Sequence, residues 1–173
     1  RPALLADARD RHLFGTQVRS FIEEANRTGI DAVVEQQFDV RLAIAEAGLV
    51  PILEPEIDIH APDRKEAERL LKEAVKKRLS ALDAKTRLMF KFSIPVQDNF
   101  YADIIEDPRV VRVVALSGGY SRDEANQRLA RNKGMIASFS RALTEGLSVK
   151  QSDSEFDAAL ARAVKSIYEA SIS

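Results

Sequence analysis

A chain of 173 residues, 45% apolar and 31% charged, has the size and composition of one ordinary soluble globular domain. Its 26 basic and 27 acidic side chains are interleaved and leave a net charge of -1, which argues against binding to nucleic acid. The absence of cysteine excludes disulfides and thiolate metal sites and is compatible with a cytoplasmic location. No apolar run approaches the roughly 20 residues that span a bilayer, so we expect no membrane partner.

Short apolar runs alternate with longer amphipathic segments along the chain, which predicts a βαβα order. The predicted strands cover residues 13–18, 49–57, 88–94, 110–116 and 135–139. Apolar residues at helical spacing predict helices over residues 31–47, 67–79 and 155–170. Repeated strand-helix-strand units imply an α/β fold with a parallel sheet, either open and doubly wound or closed into a barrel.

The second predicted strand ends in Glu54-Pro55-Glu56, with two glutamates two residues apart and therefore on one face. Two carboxylates held close together disfavour simultaneous ionisation, so one of them can hold a proton near neutral pH. Either Glu54 or Glu56 is thus a candidate general acid or base. The alternative is that both cap the strand end and pair with arginines.

The third predicted strand carries a lysine among apolar residues, in the segment LMFKFSI. Alternation along the strand places Lys91 on the face opposite Phe90 and Phe92. Burial of an unpaired ammonium is costly, whereas a lysine amine held neutral is a nucleophile toward a carbonyl carbon. The alternative is that Lys91 reaches solvent from the strand end or neutralises Glu54 and Glu56.

A glycine turn follows the fourth predicted strand and leads directly into a helix. Ser121 and Glu124 match the capping-box pattern, so we expect this helix to begin near Ser121. Main-chain amides at Ser117, Gly118 and Gly119 are then accessible to phosphate. A plain tight turn explains the glycines almost as well. The glycine-rich motifs of nucleotide-binding proteins are absent.

Arg141 follows the end of the fifth predicted strand, where a planar guanidinium would complete a phosphate site. The alternative for this arginine is a surface salt bridge. His12 and His60 are isolated and the acidic residues lack the spacing of metal ligands, so we predict no metal site.

Four segments occur in one order along the chain: VPILEPE (50–56), MFKFSIP (89–95), VVALSGGYSR (113–122) and IASFSRAL (136–143). Together they resemble class I fructose-bisphosphate aldolase of the bacterial type. The resemblance implies a (β/α)₈ TIM barrel, of which residues 1–173 would carry about strands 4 to 8 in a single domain. It also implies a cytoplasmic lyase of glycolysis and gluconeogenesis that cleaves fructose 1,6-bisphosphate through a lysine Schiff base, without a metal or other cofactor.

The same resemblance assigns roles to individual residues. Lys91 matches the lysine that forms the Schiff base, Glu54 matches the general acid/base, and Glu56 matches the neighbour that supports it. The positions that match substrate or phosphate binding are Arg19, Ser117, Gly118, Gly119 and Arg141.

Two departures from the family pattern stand out. Gln17 occupies the position where the family has a lysine, which removes a cation near the reacting centre. The family's first three strand-helix units have no counterpart in this chain, which begins with Arg1, so we expect the remaining part of the barrel to lie in a longer polypeptide or a second chain.

The expected partners are therefore a phosphorylated sugar substrate and either further copies in a homo-oligomer or the missing N-terminal part of the barrel. Two alternatives for the function remain. One is Schiff-base aldol chemistry on another phosphorylated sugar, and the other is a catalytically impaired fragment with an interaction role.

Overall fold

A computed structural model describes residues 2–173, which form a five-stranded sheet with helices between the strands. The strands are β1 (Gly15–Ile22), β2 (Val50–Ile57), β3 (Leu88–Ser93), β4 (Val110–Leu116) and β5 (Met135–Ala137). The helices are α1 (Pro2–Asp10), α2 (Arg27–Glu46), α3 (Arg64–Ser80), α4 (Ala102–Ile105), α5 (Arg122–Leu129), α6 (Arg141–Thr144) and α7 (Asp153–Ser171). The strands lie in chain order and each neighbouring pair is parallel, which confirms the α/β fold with a parallel sheet.

Most element boundaries agree with the sequence patterns, and the differences have physical causes. β4 has the predicted bounds, whereas β1 begins later and ends later than residues 13–18. Leu13 and Phe14 are exposed and precede the strand, while the alternation of exposed and more buried residues continues to Ile22. β5 ends before residue 139 because Ser138 and Phe139 already belong to the loop that leads into α6. Helices α1, α4 and α6 are absent from the predictions; α4 and α6 are single turns, too short for a periodic pattern.

The core lies between the sheet and helices α2 and α3. Leu53, Phe90 and Phe92 are fully buried in it. The rings of Phe90 and Phe92 stack with centroids 5.2 Å apart. Burial of each such side chain contributes about 1.5–3 kcal/mol. Because these residues anchor one face of the strands in the core, the residues between them lie on the opposite face, which carries the polar side chains.

The parallel register places the polar residues of successive strands side by side. Arg19 of β1 lies opposite Glu54 of β2, and Leu53 lies opposite Phe90, the neighbour of Lys91 in β3. Because all strands run in the same direction, their carboxyl ends lie at the same end of the sheet. The candidate residues therefore lie close together at that end.

The sheet is open within residues 2–173, with β1 and β5 as its edge strands. Apolar side chains are exposed beside both of them: Phe14 and Phe21 at β1, and next to β5 Tyr168 of α7 and Ile172, which follows that helix. Exposed apolar surface along unpaired edges is characteristic of a sheet that pairs with further elements. Across the described residues, no helix has the length and apolar character needed to cross a membrane.

Candidate active site

A cavity of about 540 Å³ opens at the carboxyl ends of the strands. Its lining residues come from every strand or the loop that follows it: Gln17, Arg19, Glu54, Glu56, Lys91, Leu116, Ser117, Gly118, Ser138, Ser140 and Arg141. The structure thus brings together all the candidate residues of the sequence analysis except Gly119. That glycine lies in an adjoining depression with Tyr120 and Glu145 and does not line this cavity.

Lys91 lies in this cavity and is held there by two neighbours. Its Nζ is 3.1 Å from Oε1 of Glu54 and donates a longer hydrogen bond, 3.5 Å, to Oε1 of Gln17. The Lys91 side chain is 14% exposed. Lys91 therefore pairs with Glu54, as one alternative of the sequence analysis proposed, and at the same time it keeps access to the cavity.

Glu54 is the most deeply buried charged group of the site. Its side chain is 4% exposed, and its Oε2 has no hydrogen-bond partner among the described residues. A buried polar atom without a partner costs free energy, and such atoms in native structures require an explanation. Glu54 lines the cavity beside Lys91, and its Oε2 is the carboxylate oxygen that no group of the described chain satisfies.

Glu56 has a different partner from Glu54. Arg19 Nε donates a 2.7 Å hydrogen bond to Glu56 Oε2, while half of the Arg19 side chain remains exposed. The hydrogen bond to Glu56 and the negative charge of that carboxylate raise the pKa of Arg19 above its ordinary value. The two glutamates of β2 therefore each face a cation of a different strand, and Arg19 stays charged beside the cavity.

The glycine turn after β4 approaches its neighbours closely. Gly118 has φ +63°, and a Cβ at this position would lie 2.5 Å from Cγ2 of Ile59. Only glycine fits both the backbone conformation and that contact. The turn is closed by a 3.0 Å hydrogen bond from Tyr120 N to the Ser117 carbonyl oxygen. It places Ser117 and Gly118 at the wall of the cavity.

Helix α5 begins immediately after this turn, as predicted. The Ser121 hydroxyl accepts a 3.3 Å hydrogen bond from Glu124 N and caps the helix. In a complete capping box the Glu124 carboxylate would accept a hydrogen bond from the main-chain amide of Ser121, but here it accepts from the Arg128 side chain instead. The capping box is therefore only half formed at α5, whereas Ser152 and Glu155 form a complete one at α7.

Arg141 begins α6 and lines the cavity beside Ser138 and Ser140. It forms no ion pair within residues 2–173, so the surface salt bridge considered above is not present in the described part of the chain. The sequence analysis did not select Ser138 or Ser140. Their spacing of two residues, directly before Arg141, is the signal that would have identified them.

Metal ligation was not expected, and residues 2–173 contain no group of three or more His, Asp or Glu placed to hold a metal ion.

Comparison with solved structures relates this fold to part of an aldolase barrel. No protein-family profile matches the chain. A solved structure titled as fructose-bisphosphate aldolase from Plasmodium falciparum, in complex with TRAP and a small-molecule inhibitor, is similar with a TM-score of 0.61 and 16% identity. It covers 98% of this chain, which covers 58% of that structure. The fold is therefore an α/β arrangement that corresponds to part of an aldolase TIM barrel.

Sequence comparison finds three similar proteins with the same name. The chain is 57% identical over 169 residues to the class 1 fructose-bisphosphate aldolase of Clostridium acetobutylicum. It is 54% identical over 170 residues to the enzymes of the same name from Synechocystis sp. and Porphyromonas gingivalis. Each alignment includes 98% of this chain and 57% of the relative. The chain is a homologue of class 1 fructose-bisphosphate aldolases and corresponds to the C-terminal part of their sequences.

Proposed function

We propose that the protein containing this chain cleaves fructose 1,6-bisphosphate reversibly to dihydroxyacetone phosphate and glyceraldehyde 3-phosphate, with Lys91 as the nucleophile. The observation that carries the proposal is the placement of Lys91 Nζ in a polar cavity, 3.1 Å from a buried carboxylate that has a free oxygen. The names of the relatives support the same activity. The reaction belongs to glycolysis and gluconeogenesis in the cytoplasm and needs no metal or other cofactor.

The proposed reaction begins with attack of the neutral Lys91 amine on the C2 carbonyl carbon of the sugar. Loss of water from the carbinolamine gives an iminium ion, whose positive nitrogen is an electron acceptor. A base removes the proton of the C4 hydroxyl, the C3–C4 bond breaks, and its electron pair forms an enamine with the former iminium. Glyceraldehyde 3-phosphate leaves, C3 is protonated, and water releases dihydroxyacetone phosphate from Lys91.

Glu54 is our choice for the proton transfers. Its Oε1 is already next to Lys91 Nζ, and its Oε2 is buried at the cavity without a partner. A base must lie within hydrogen-bond reach of the proton that it removes, and the Glu54 carboxylate lines the cavity beside Lys91. In this assignment Glu56 holds Arg19 by a 2.7 Å hydrogen bond and does not take part in proton transfer.

The two phosphates of the substrate would be bound on different sides of the cavity. Ser117, Gly118 and Arg141 surround one position with a hydroxyl, a main-chain amide and a guanidinium that has no ion-pair partner in the described chain. Arg19 supplies a charged group on the opposite strand β1. Gly119 contributes to the first position only through the shape of the turn, because it does not line the cavity.

Borohydride trapping tests this function most directly. The full-length protein is incubated with dihydroxyacetone phosphate, reduced, and analysed by intact mass and peptide mapping. We expect one adduct, located on Lys91. Lys91→Arg is the control: a guanidinium preserves the positive charge beside Glu54 but stays protonated, so both adduct and cleavage should be lost. An adduct on another lysine, or normal cleavage by Lys91→Arg, would contradict the proposal.

Gln17 supports a second candidate, a catalytically impaired aldolase homologue with an interaction role. Its amide oxygen accepts a hydrogen bond from Lys91, so a neutral acceptor stands where the family resemblance implies a cation. Under the first candidate, the substrate could also be another phosphorylated sugar, because a phosphate site and a reactive lysine do not determine the length of the sugar. Cleavage assays over a panel of phosphorylated ketoses separate these possibilities.

Either candidate requires that the open sheet be completed. We infer that further strand-helix units pair with β1 and β5 to close one barrel domain, because both edges are unpaired and flanked by exposed apolar side chains within residues 2–173. These units come from the same polypeptide, or from another chain in an oligomer. The intact mass measured in the trapping experiment distinguishes a single longer chain from an assembly.

A further inference from the structure

A buried ion pair on α3 lies outside the cavity and has no part in the mechanism described above. Arg64 Nε donates a 2.9 Å hydrogen bond to Glu68 Oε1 one helical turn further along α3. The two side chains are only 6% and 2% exposed. Burial of two charges costs several kcal/mol of desolvation per ion, and apolar replacements of such pairs are often neutral or stabilising. Global stability alone therefore does not account for this pair.

The remaining hydrogen bonds of the pair connect α3 to two loops of the site. Arg64 Nη2 donates to the Ile94 carbonyl oxygen just after β3, and Glu68 accepts from Val96 N at 3.0 Å. Arg64 Nη1 donates a 2.6 Å hydrogen bond to the hydroxyl of Tyr120 in the turn after β4. We call Arg64, Glu68 and Tyr120 the Arg64 network. It joins the strand end next to Lys91 to the turn that contains Gly118.

The same turn is held from a second direction by the loop that precedes α3. Ile59 of that loop fills the space where a Cβ of Gly118 would be. Tyr120 is also covered by the Arg128 guanidinium, 4.4 Å from its ring centroid. The turn is therefore fixed by apolar contact at Gly118 and by a charge-assisted hydrogen bond at Tyr120, two residues further on.

We propose that the Arg64 network positions the 117–119 turn for binding of a substrate phosphate, so that Arg64, Glu68 and Tyr120 are positioning residues for the proposed reaction. This inference rests on the proposed function for the identity of the substrate. None of the three residues lines the cavity, so each acts through the main chain of the turn. The network sets the affinity for phosphate and leaves the chemistry at Lys91 unchanged.

Tyr120→Phe is the mildest test because it removes only the hydroxyl that accepts from Arg64. In the full-length protein, we expect the KM for fructose 1,6-bisphosphate and the Kd for inorganic phosphate to rise about fivefold, with kcat changed less than about twofold, because the turn would bind phosphate equally in the ground state and the transition state. Glu68→Gln removes the charge that orients Arg64 and should weaken phosphate binding at least as much.

Glu66→Gln is the matched control. Glu66 lies on the same helix, two residues before Glu68, but is half exposed and pairs with Arg69 at the surface. It should change neither KM nor the Kd for phosphate. If Tyr120→Phe and Glu68→Gln bind phosphate like the wild type, or lose only thermal stability, the network is merely structural and the inference is wrong. Absence of phosphate binding by the wild type also overturns it.

The phosphate titration separates this inference from the proposed function. A wild-type protein that binds phosphate but neither cleaves fructose 1,6-bisphosphate nor forms a reducible adduct would refute the aldolase activity. The effect of Tyr120→Phe on the Kd for phosphate would still decide whether the network positions the turn.

Discussion

Two ion pairs of similar burial lie at opposite ends of the sheet and differ in how completely their hydrogen bonds are satisfied. At the amino end of β4, Arg109 and Asp107 are 17% and 16% exposed, and at the carboxyl end Lys91 and Glu54 are 14% and 4% exposed. Arg109 donates to both carboxylate oxygens of Asp107, at 2.8 and 2.6 Å. Glu54 leaves one buried oxygen without a partner in the described chain.

The difference separates a pair that stabilises from a pair that can react. The Asp107 carboxylate also accepts from Arg109 N at 2.9 Å, and Arg109 donates to the Leu82 carbonyl oxygen, so the pair ties together two loops that precede strands. At the other end, Glu54 and Lys91 both line the cavity, and one Glu54 oxygen has no partner in the described chain. In parallel barrels the amino ends of the strands serve stability and the carboxyl ends serve catalysis, and the roles that we propose for the two pairs follow this division.

The largest expected effect in this comparison comes from Glu54. Glu54→Gln removes the proposed proton acceptor, and we expect kcat for cleavage of fructose 1,6-bisphosphate to fall about 100-fold. The variant retains Lys91, the proposed nucleophile, so the reducible adduct with dihydroxyacetone phosphate should still form. Steady-state kinetics and borohydride trapping on the same variant measure the two effects.

Glu56→Gln is the control for that change. Glu56 is two residues away on the same face but pairs with the half-exposed Arg19, so its loss should mainly raise KM. An equal loss of kcat in both variants would contradict the assignment of proton transfer to Glu54 and not to Glu56.

A smaller effect is expected at Gln17, the neutral neighbour of Lys91. Gln17→Lys places a cation beside Lys91, which stabilises negative charge that develops on the substrate. If Gln17 limits turnover, kcat should rise about tenfold, less than the roughly 100-fold or more that one preorganised donor contributes in an oxyanion hole. Gln17→Met, without the charge, should give no gain. A flat response to Gln17→Lys would remove the main support for the impaired-homologue candidate.

The sequence revealed the parts of this site that depend on alternation within one segment. Lys91 among phenylalanines and the two glutamates of β2 follow from the two-residue period of a strand, and Ser121 from the start of a helix. The individual contacts depend on pairing between distant segments: Gln17 and Lys91 are 74 positions apart, and Arg64 and Tyr120 are 56 apart. Local periodicity carries no information about such pairs, which is why the Arg64 network was missed.

The smallest expected effect concerns the satisfied pair at the amino end of the sheet. Asp107→Asn should lower the free energy of unfolding by about 1–2 kcal/mol at pH 7, because Arg109 loses a charged partner in a partly buried place. It should not alter kcat or KM, since the pair lies at the end of the sheet opposite the cavity. Asp31→Asn, at an exposed position of α2, is the control and should leave stability unchanged.

The pH dependence of this difference follows from the direction of the Asp107 shift. The hydrogen bonds from the Arg109 side chain hold the pKa of Asp107 below its ordinary value. The stabilisation is therefore complete above the unfolded pKa of about 3.9 and is lost as the pH falls through the lower folded value. Urea unfolding of wild type and Asp107→Asn at several pH values should show a constant difference from pH about 7 to 5 that shrinks below pH about 4. A difference that persists undiminished in acid would mean that the Asp107 side chain stabilises the loop by hydrogen bonding alone, and the contrast between the two ends of the sheet would then not rest on charge.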